Sequence, residues 1–341
     1  MYAPLLDTPL TRAAGVRLPL ICGAMYPCSN PELVAAVSTA GGLGVVQPVS
    51  LTYVYGHDFR EGLRLIRRLT PAPIGMNALI EASSRKYHQL MVRWVEIALE
   101  EGVRFFVTSL GKPRWVAERV HGAGGVVYHD VTERRWAEKA LEAGVDVLIA
   151  VNRRAGGHPG GREPGELMEE LADLGVPVVC AGGVSTPEGF VEALRMGYAG
   201  VQMGTRFIAT PECGASEAYK RAIVAAGEDD VVWTERLTGV PVAILRTPYV
   251  ERTGTRAGLL ARSLLRREST KRLVRTLYAL RSAWQLKRAS LDPAGAREYW
   301  QAGKSVAGID SIEPVADLVA RVEAAAGAPG ESPGPVGHLT R

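Results

Sequence analysis

Eight short, nearly continuous apolar runs punctuate the first 206 residues, at 18–25, 43–49, 73–80, 105–110, 125–131, 146–151, 177–182 and 200–206. A run without polar alternation fits a strand covered on both faces, the condition of a parallel sheet. The stretches between them carry helical spacing and helix punctuation. Ser29-Asn30-Pro31 opens one, Leu33, Val34 and Val37 share its inner face, and Ala40-Gly41-Gly42 closes it. Others begin near Ser83-Ser84, Thr132 and Thr186-Pro187, the last two ending at Gly144 and Gly197. Eight strand–helix units predict a (β/α)8 TIM barrel. An open doubly wound sheet is the competing fold. The first run ends in Gly23-Ala24-Met25-Tyr26-Pro27, without the GxGxxG turn that such a sheet would favour.

The pattern changes after the eighth run. Residues 1–211 read as the barrel, 212–300 as a smaller helical cap or insert domain, 301–324 as a segment returning to the barrel, and 325–341 as a Gly/Pro-rich disordered tail. From Arg252 to Arg288 there is one acid, Glu268, while Leu260, Leu264, Leu273, Leu277 and Leu280 keep a roughly helical period. That stretch reads as a helical cap or a homodimer contact with a solvated basic face. A basic helix on a membrane or on RNA is the alternative.

Composition removes several classes. With 47% hydrophobic and 22% charged residues the chain is not generally disordered. A net charge of +4 is too mild for a nucleic-acid partner. No apolar run reaches the roughly 18–20 residues of a membrane span, and the first twenty residues lack the pattern of a secretory signal. The expectation is a cytoplasmic protein. Cys22, Cys28, Cys180 and Cys213 form no CxxC pair and have no His at zinc spacing, so no metal site and no disulfide framework are expected.

In such a barrel the chemistry sits where the strands end. Strand seven ends in Ala181-Gly182-Gly183-Val184, followed by Ser185-Thr186-Pro187, and strand eight in Met203-Gly204-Thr205-Arg206. Glycine turns leading into helices let backbone N–H groups approach phosphate oxygens. Either turn alone could be only a tight turn; together they predict a phosphorylated ligand. Strand six runs into Gly156-Gly157-His158-Pro159-Gly160-Gly161. A loop this rich in glycine offers little core for a structural histidine, so His158 reads as a base or hydrogen-bond donor. His57, His88, His121 and His338 read as structural or solvated, and His129, at a strand end, stays open.

The motifs PLICGAMYPCSNPELVAAVSTAGGLG, GMNALI, AGGHPG, CAGGV, QMGTRF, LTGVPVAILR and QAGKSVAGI occur in this order. In this order they resemble the nitronate monooxygenase family, formerly the 2-nitropropane dioxygenases, over roughly 15–210, 236–250 and 300–320. The resemblance implies an FMN cofactor whose phosphate rests on Gly182, Gly183, Gly204 and Thr205. Ala24, Met25, Asn77 and Gly157 would then face the rest of the flavin, with His158 as the catalytic residue. It also implies oxidation of a nitronate or nitroalkane with oxygen to a carbonyl compound and nitrite. The sequence departs from the family pattern at Arg154, where many members carry Glu, at Asp130, where some carry Lys, and at Thr238-Gly239-Val240-Pro241-Val242-Ala243, where two family arginines are absent. Arg154 could point into the site, where it would suit an anion, or out into solvent. The flavin-dependent enoyl-acyl-carrier-protein reductases share the fold and the histidine, so an NAD(P)H-dependent enoyl or quinone reductase is the alternative enzyme reading. A flavin-binding protein without turnover is the non-enzymatic one.

Overall fold

The computed structural model describes residues 4–81, 84–236, 240–256, 285–291 and 299–327. The eight apolar runs form eight parallel strands: β1 (Leu20–Cys22), β2 (Leu43–Val46), β3 (Ile74–Leu79), β4 (Phe105–Ser109), β5 (Val126–Val131), β6 (Val147–Val151), β7 (Val178–Ala181) and β8 (Gly200–Met203). They pair in sequence order, and β1 closes on β8 with Leu20, Ile21 and Cys22 opposite Val201, Gln202 and Met203. The result is the expected (β/α)8 barrel. Most of the apolar runs overshoot their strands by one to three residues, and the overshoot becomes the loops at the barrel mouth.

Seven helices follow the first seven strands: α1 (Pro31–Thr39), α2 (Phe59–Leu69), α3 (Arg85–Glu100), α4 (Arg114–Gly122), α5 (Arg134–Glu142), α6 (Pro164–Leu171) and α7 (Pro187–Arg195). Ser84 and Thr186 cap α3 and α7 through their hydroxyls. Asn30 stands at the start of α1 but does not cap it. Its amide donates to Glu32 and to the Glu212 carbonyl and accepts from the Gly214 N–H, tying α1 to the chain beyond β8. The eighth barrel helix, α8 (Val315–Gly327), comes from far down the chain and packs against both α7 and α1. Helix thus continues through Ala325 to Gly327, within the stretch expected to be a disordered tail.

Alternation along the strands sorts side chains between the helices and the barrel axis. Ile21, Val45, Phe105, Val107, Tyr128, Val147, Ile149, Val179 and Ala181 fill the interior, with the Phe105 and Tyr128 rings 4.3 Å apart. Leu10, on a short helix at Pro9–Ala14, joins this cluster and is fully buried. The barrel interior is therefore a packed core and not a channel.

Between β8 and α8 the expectation of a largely helical insert, with a strand signal only near 240–246, meets a mixed structure. A helix at Glu217–Ala225 is followed by an antiparallel pair, β9 (Val231–Thr234) with β10 (Val242–Leu245), then by helices at Pro248–Thr253 and 285–291. The Val-rich runs on both sides of 237–239 have the β-branched content of strands; the signal at 240–246 falls on β10, and its partner β9 is the one the helical reading missed. The leucine series from Leu260 to Leu280 lies outside the described residues.

Candidate active site

Above the core, several strands carry a polar residue at the next inward position, among them Gln47 beyond β2, Asn77 on β3, Asp130 on β5 and Gln202 on β8. All four line a cavity of 1180 Å³ at the C-terminal ends of the strands. Gln47 accepts a hydrogen bond from the Ser50 N–H at 2.6 Å, and Asn77 donates to the Val107 carbonyl at 3.3 Å. Every site residue expected from sequence lines this cavity: Ala24, Met25, Asn77, Gly157, His158, Gly182, Gly183, Gly204 and Thr205. Gln47 and Gln202 were missed, because each stands inside an apolar run. Reading those runs with a period of two would have found them.

The two glycine turns differ in what shapes them. Gly182 and Gly183 have φ of +112° and +85°, a region that side chains with a Cβ rarely enter. A Cβ on Gly182 would lie 2.6 Å from the Ala155 nitrogen, and one on Gly183 2.8 Å from the Arg154 Nε. Asn152, fully buried, braces this turn by donating to the Gly182 carbonyl at 2.9 Å. Its Oδ1 accepts from the Arg154 N–H, also at 2.9 Å. In the second turn the Thr205 hydroxyl accepts from the Gly303 N–H at 3.0 Å, bringing the returning segment to the cavity edge.

The histidine loop is held from outside the barrel. Gly157 bridges Ala243 of β10, whose N–H donates to the Gly157 carbonyl at 2.7 Å. The Arg154 carbonyl accepts from the Lys304 N–H at 2.9 Å. His158 lines the cavity and is an exposed residue, although enough protein surrounds it to desolvate the ring in part. That desolvation lowers its pKa from the ordinary imidazole value, favouring the neutral ring. Arg154 does not line the cavity. Its guanidinium lies over Gly183 and pairs with Glu228. The outward orientation is therefore the one realised, and the charge reversal relative to many family members is answered by an acid 74 positions along. Arg154→Ala is expected to change turnover less than about threefold, the scale of a partly exposed ion pair. A loss of tenfold or more would place the guanidinium against the substrate.

His129 and Asp130 separate in role. His129 is buried, its Nδ1 is 2.8 Å from the Thr108 hydroxyl, and burial pushes its pKa down to about 4. Asp130 faces the cavity floor, and its Oδ1 has no hydrogen-bond partner among the described residues. Burial pushes this carboxyl up to about 7. Between pH of about 3.8 and about 7 the folded chain holds a proton that the unfolded chain has released. Stability therefore falls as pH rises through that window and levels off above it. Asp130→Asn should remove this slope, leaving the melting temperature unchanged near pH 4 and raising it by a few degrees at pH 8. Calorimetric scans of both proteins check this, and coincident melts at pH 8 would mean the carboxylate is already compensated.

A closed (β/α)8 barrel with a polar, histidine-bearing cavity at the strand ends is the architecture of an enzyme. The sequence profile of the nitronate monooxygenase family matches residues 7–324, and the chain belongs to that family of oxidoreductases. Among relatives, it is 32% identical over 265 residues to the (3aS,4S,5R,7aS)-5-hydroxy-7a-methyl-1-oxo-octahydro-1H-indene-4-carboxyl-CoA dehydrogenase of Mycobacterium tuberculosis, covering 76% of this chain and 72% of that protein. It is 28% identical to a probable nitronate monooxygenase of Staphylococcus saprophyticus, covering 72% and 81%. Among solved structures, FabK from Thermotoga maritima superposes with a TM-score of 0.77 at 26% identity, covering 94% of this chain and 96% of that one. Among the described residues no helix is long and apolar enough to cross a membrane, and no cluster of three or more His, Cys, Asp or Glu could hold a metal ion.

Proposed function

We propose that the protein is an FMN-dependent oxidoreductase that oxidises alkyl nitronates with oxygen to carbonyl compounds and nitrite. The observation that carries this reading is that a glycine cradle and His158 face one cavity above a plugged barrel. The residues fit the cofactor. Gly182 and Gly183 line the cavity in a left-handed conformation that side chains rarely adopt, and lacking side chains they pack closely against Asn152, Arg154 and Ala155, which suits a backbone cradle for a phosphate. Gly204 and Thr205 would complete the phosphate site, and Ala24, Met25, Asn77 and Gly157 would border the ring and its ribityl chain. Bound there, FMN would supply electron transfer and the reaction with oxygen.

The chain supplies orientation and proton handling. His158, kept neutral by its surroundings, accepts the α-proton of a neutral nitroalkane or donates a hydrogen bond to a nitronate oxygen. Asp130, protonated below about 7, offers an O–H donor at the floor. Above that pH its negative charge opposes an anionic substrate. The packed layer of Tyr128, Ile149 and Val179 beneath keeps water from entering through the barrel.

A second reading, hydride exchange with NAD(P)H or an acyl thioester, is favoured by the reach of the cavity. It runs past His129 to Lys112, Trp136 and Lys139, far more room than a small nitronate needs. Anaerobic titration of the flavin-loaded protein separates the two. Bleaching of the flavin by a nitronate but not by NADH or NADPH is the expected result. Bleaching by a pyridine nucleotide alone would replace the first reading with the second.

A further inference from the structure

The cavity has an outer arm that neither the cradle nor His158 uses. From Leu79 and Asp130 it passes between the loop after β4 and the exposed face of α5, lined by Leu110, Lys112, Arg114, Trp136 and Lys139. Leu110 is the only non-glycine among the described residues with a positive φ, at 59°, yet its side chain is 58% exposed. An apolar side chain held outward on strained backbone is a feature of binding loops. Gly111 beside it has no room for a side chain, since a Cβ would lie 2.4 Å from Ile80 Cγ2, so the loop is braced on the end of β3. Trp136 is 43% exposed, with the Lys139 ammonium and the Arg135 guanidinium each 4.7 Å from its ring centre. Arg135 pairs with Glu133, whereas Lys139 and Lys112 have no acidic partner among the described residues. Arg114 donates to the Glu142 carbonyl at 2.6 Å, and Glu142 also lines the cavity.

We infer that this arm is a subsite for the adenosine phosphate portion of a nucleotide-bearing co-substrate. A flat exposed indole gives a purine a stacking surface. A purine displacing Lys139 from the ring frees that ammonium for a phosphate, beside Lys112 and Arg114. The arm opens into the cavity where the reactive end of such a molecule would meet the flavin and His158. A simple nitronate would leave it untouched, so this subsite stands or falls independently of nitronate oxidation. Two sources share the chemistry, a nicotinamide dinucleotide and a coenzyme A thioester.

The test is calorimetric titration of the flavin-loaded full chain with adenosine 3′,5′-bisphosphate, adenosine 2′,5′-bisphosphate and ADP. At least one should bind. Trp136→Ala should weaken it by roughly 5–100-fold, the range of a lost base stack. Lys112→Glu with Lys139→Glu should weaken it at least as much and lessen its dependence on salt. Circular dichroism and bound-flavin content should match wild type in these surface variants, showing an intact fold. Preference for the 3′,5′ compound identifies a thioester carrier. Preference for the 2′,5′ compound or ADP identifies NADPH or NADH. Absence of binding at millimolar concentration, or binding that the variants leave unchanged, overturns the subsite.

Discussion

His158→Ala is expected to retain bound flavin and to lose turnover by roughly 10²–10⁴-fold, the range for removing a positioned general acid–base. Flavin retention is expected because the histidine loop is pinned through the Gly157 backbone to Ala243, a contact that the truncation leaves alone. The pH dependence carries a second check. Desolvation holds the imidazole below its ordinary value. The neutral base therefore persists as pH falls through about 6.5, and activity on a neutral nitroalkane declines only at lower pH. That acidic limb should vanish in the variant. Near-normal turnover in His158→Ala would remove the residue from the mechanism. A wild-type limb at or above about 6.5 would refute the desolvated environment.

Gly183→Val is expected to abolish stable flavin binding, weakening it by roughly 100-fold or more. Two costs combine. A β-branched residue at a φ of +85° carries strain of about 1–3 kcal/mol. Its side chain would also meet Arg154 at under 3 Å, so the turn that lines the cavity would have to shift. The strain alone should lower the melting temperature of the flavin-free protein by a few degrees without unfolding it. Measuring both quantities separates the effects. A variant that folds, shows wild-type circular dichroism and still purifies with flavin would show that the phosphate sits elsewhere.

The strands and the Gly182-Gly183 turn were legible because their causes are local. Burial on both faces writes an unbroken apolar run, and a left-handed turn demands glycine, whichever residues lie opposite. The polar floor was harder to see. Gln47 and Gln202 are polar residues inside apolar runs, and only the inward-outward alternation of a closed barrel gives them meaning. Arg154 could not be oriented from its neighbours, since Glu228, which draws it outward, lies beyond β8. The same is true of Gly157 and Ala243, joined across more than eighty positions. Trp136 and Lys139 read as an ordinary solvated helix face until the loop carrying Leu110 is placed opposite them.

Helix α8 has a consequence for how the chain matures. More than a hundred residues separate the end of β8 from the helix that packs between α7 and α1. On a ribosome adding roughly 5–20 residues per second, the eight strands emerge several seconds before the last of their cover is synthesised. During that interval the apolar flank between the first and last barrel units is open to solvent and to other nascent chains. Gly303, which donates to Thr205, arrives in the same late segment. The glycine turn at Gly204 and Thr205 therefore gains this brace only after residue 303 is made, and cofactor capture is expected to follow that step. Soluble yield should depend on holdase chaperones during that window and on flavin supply after it.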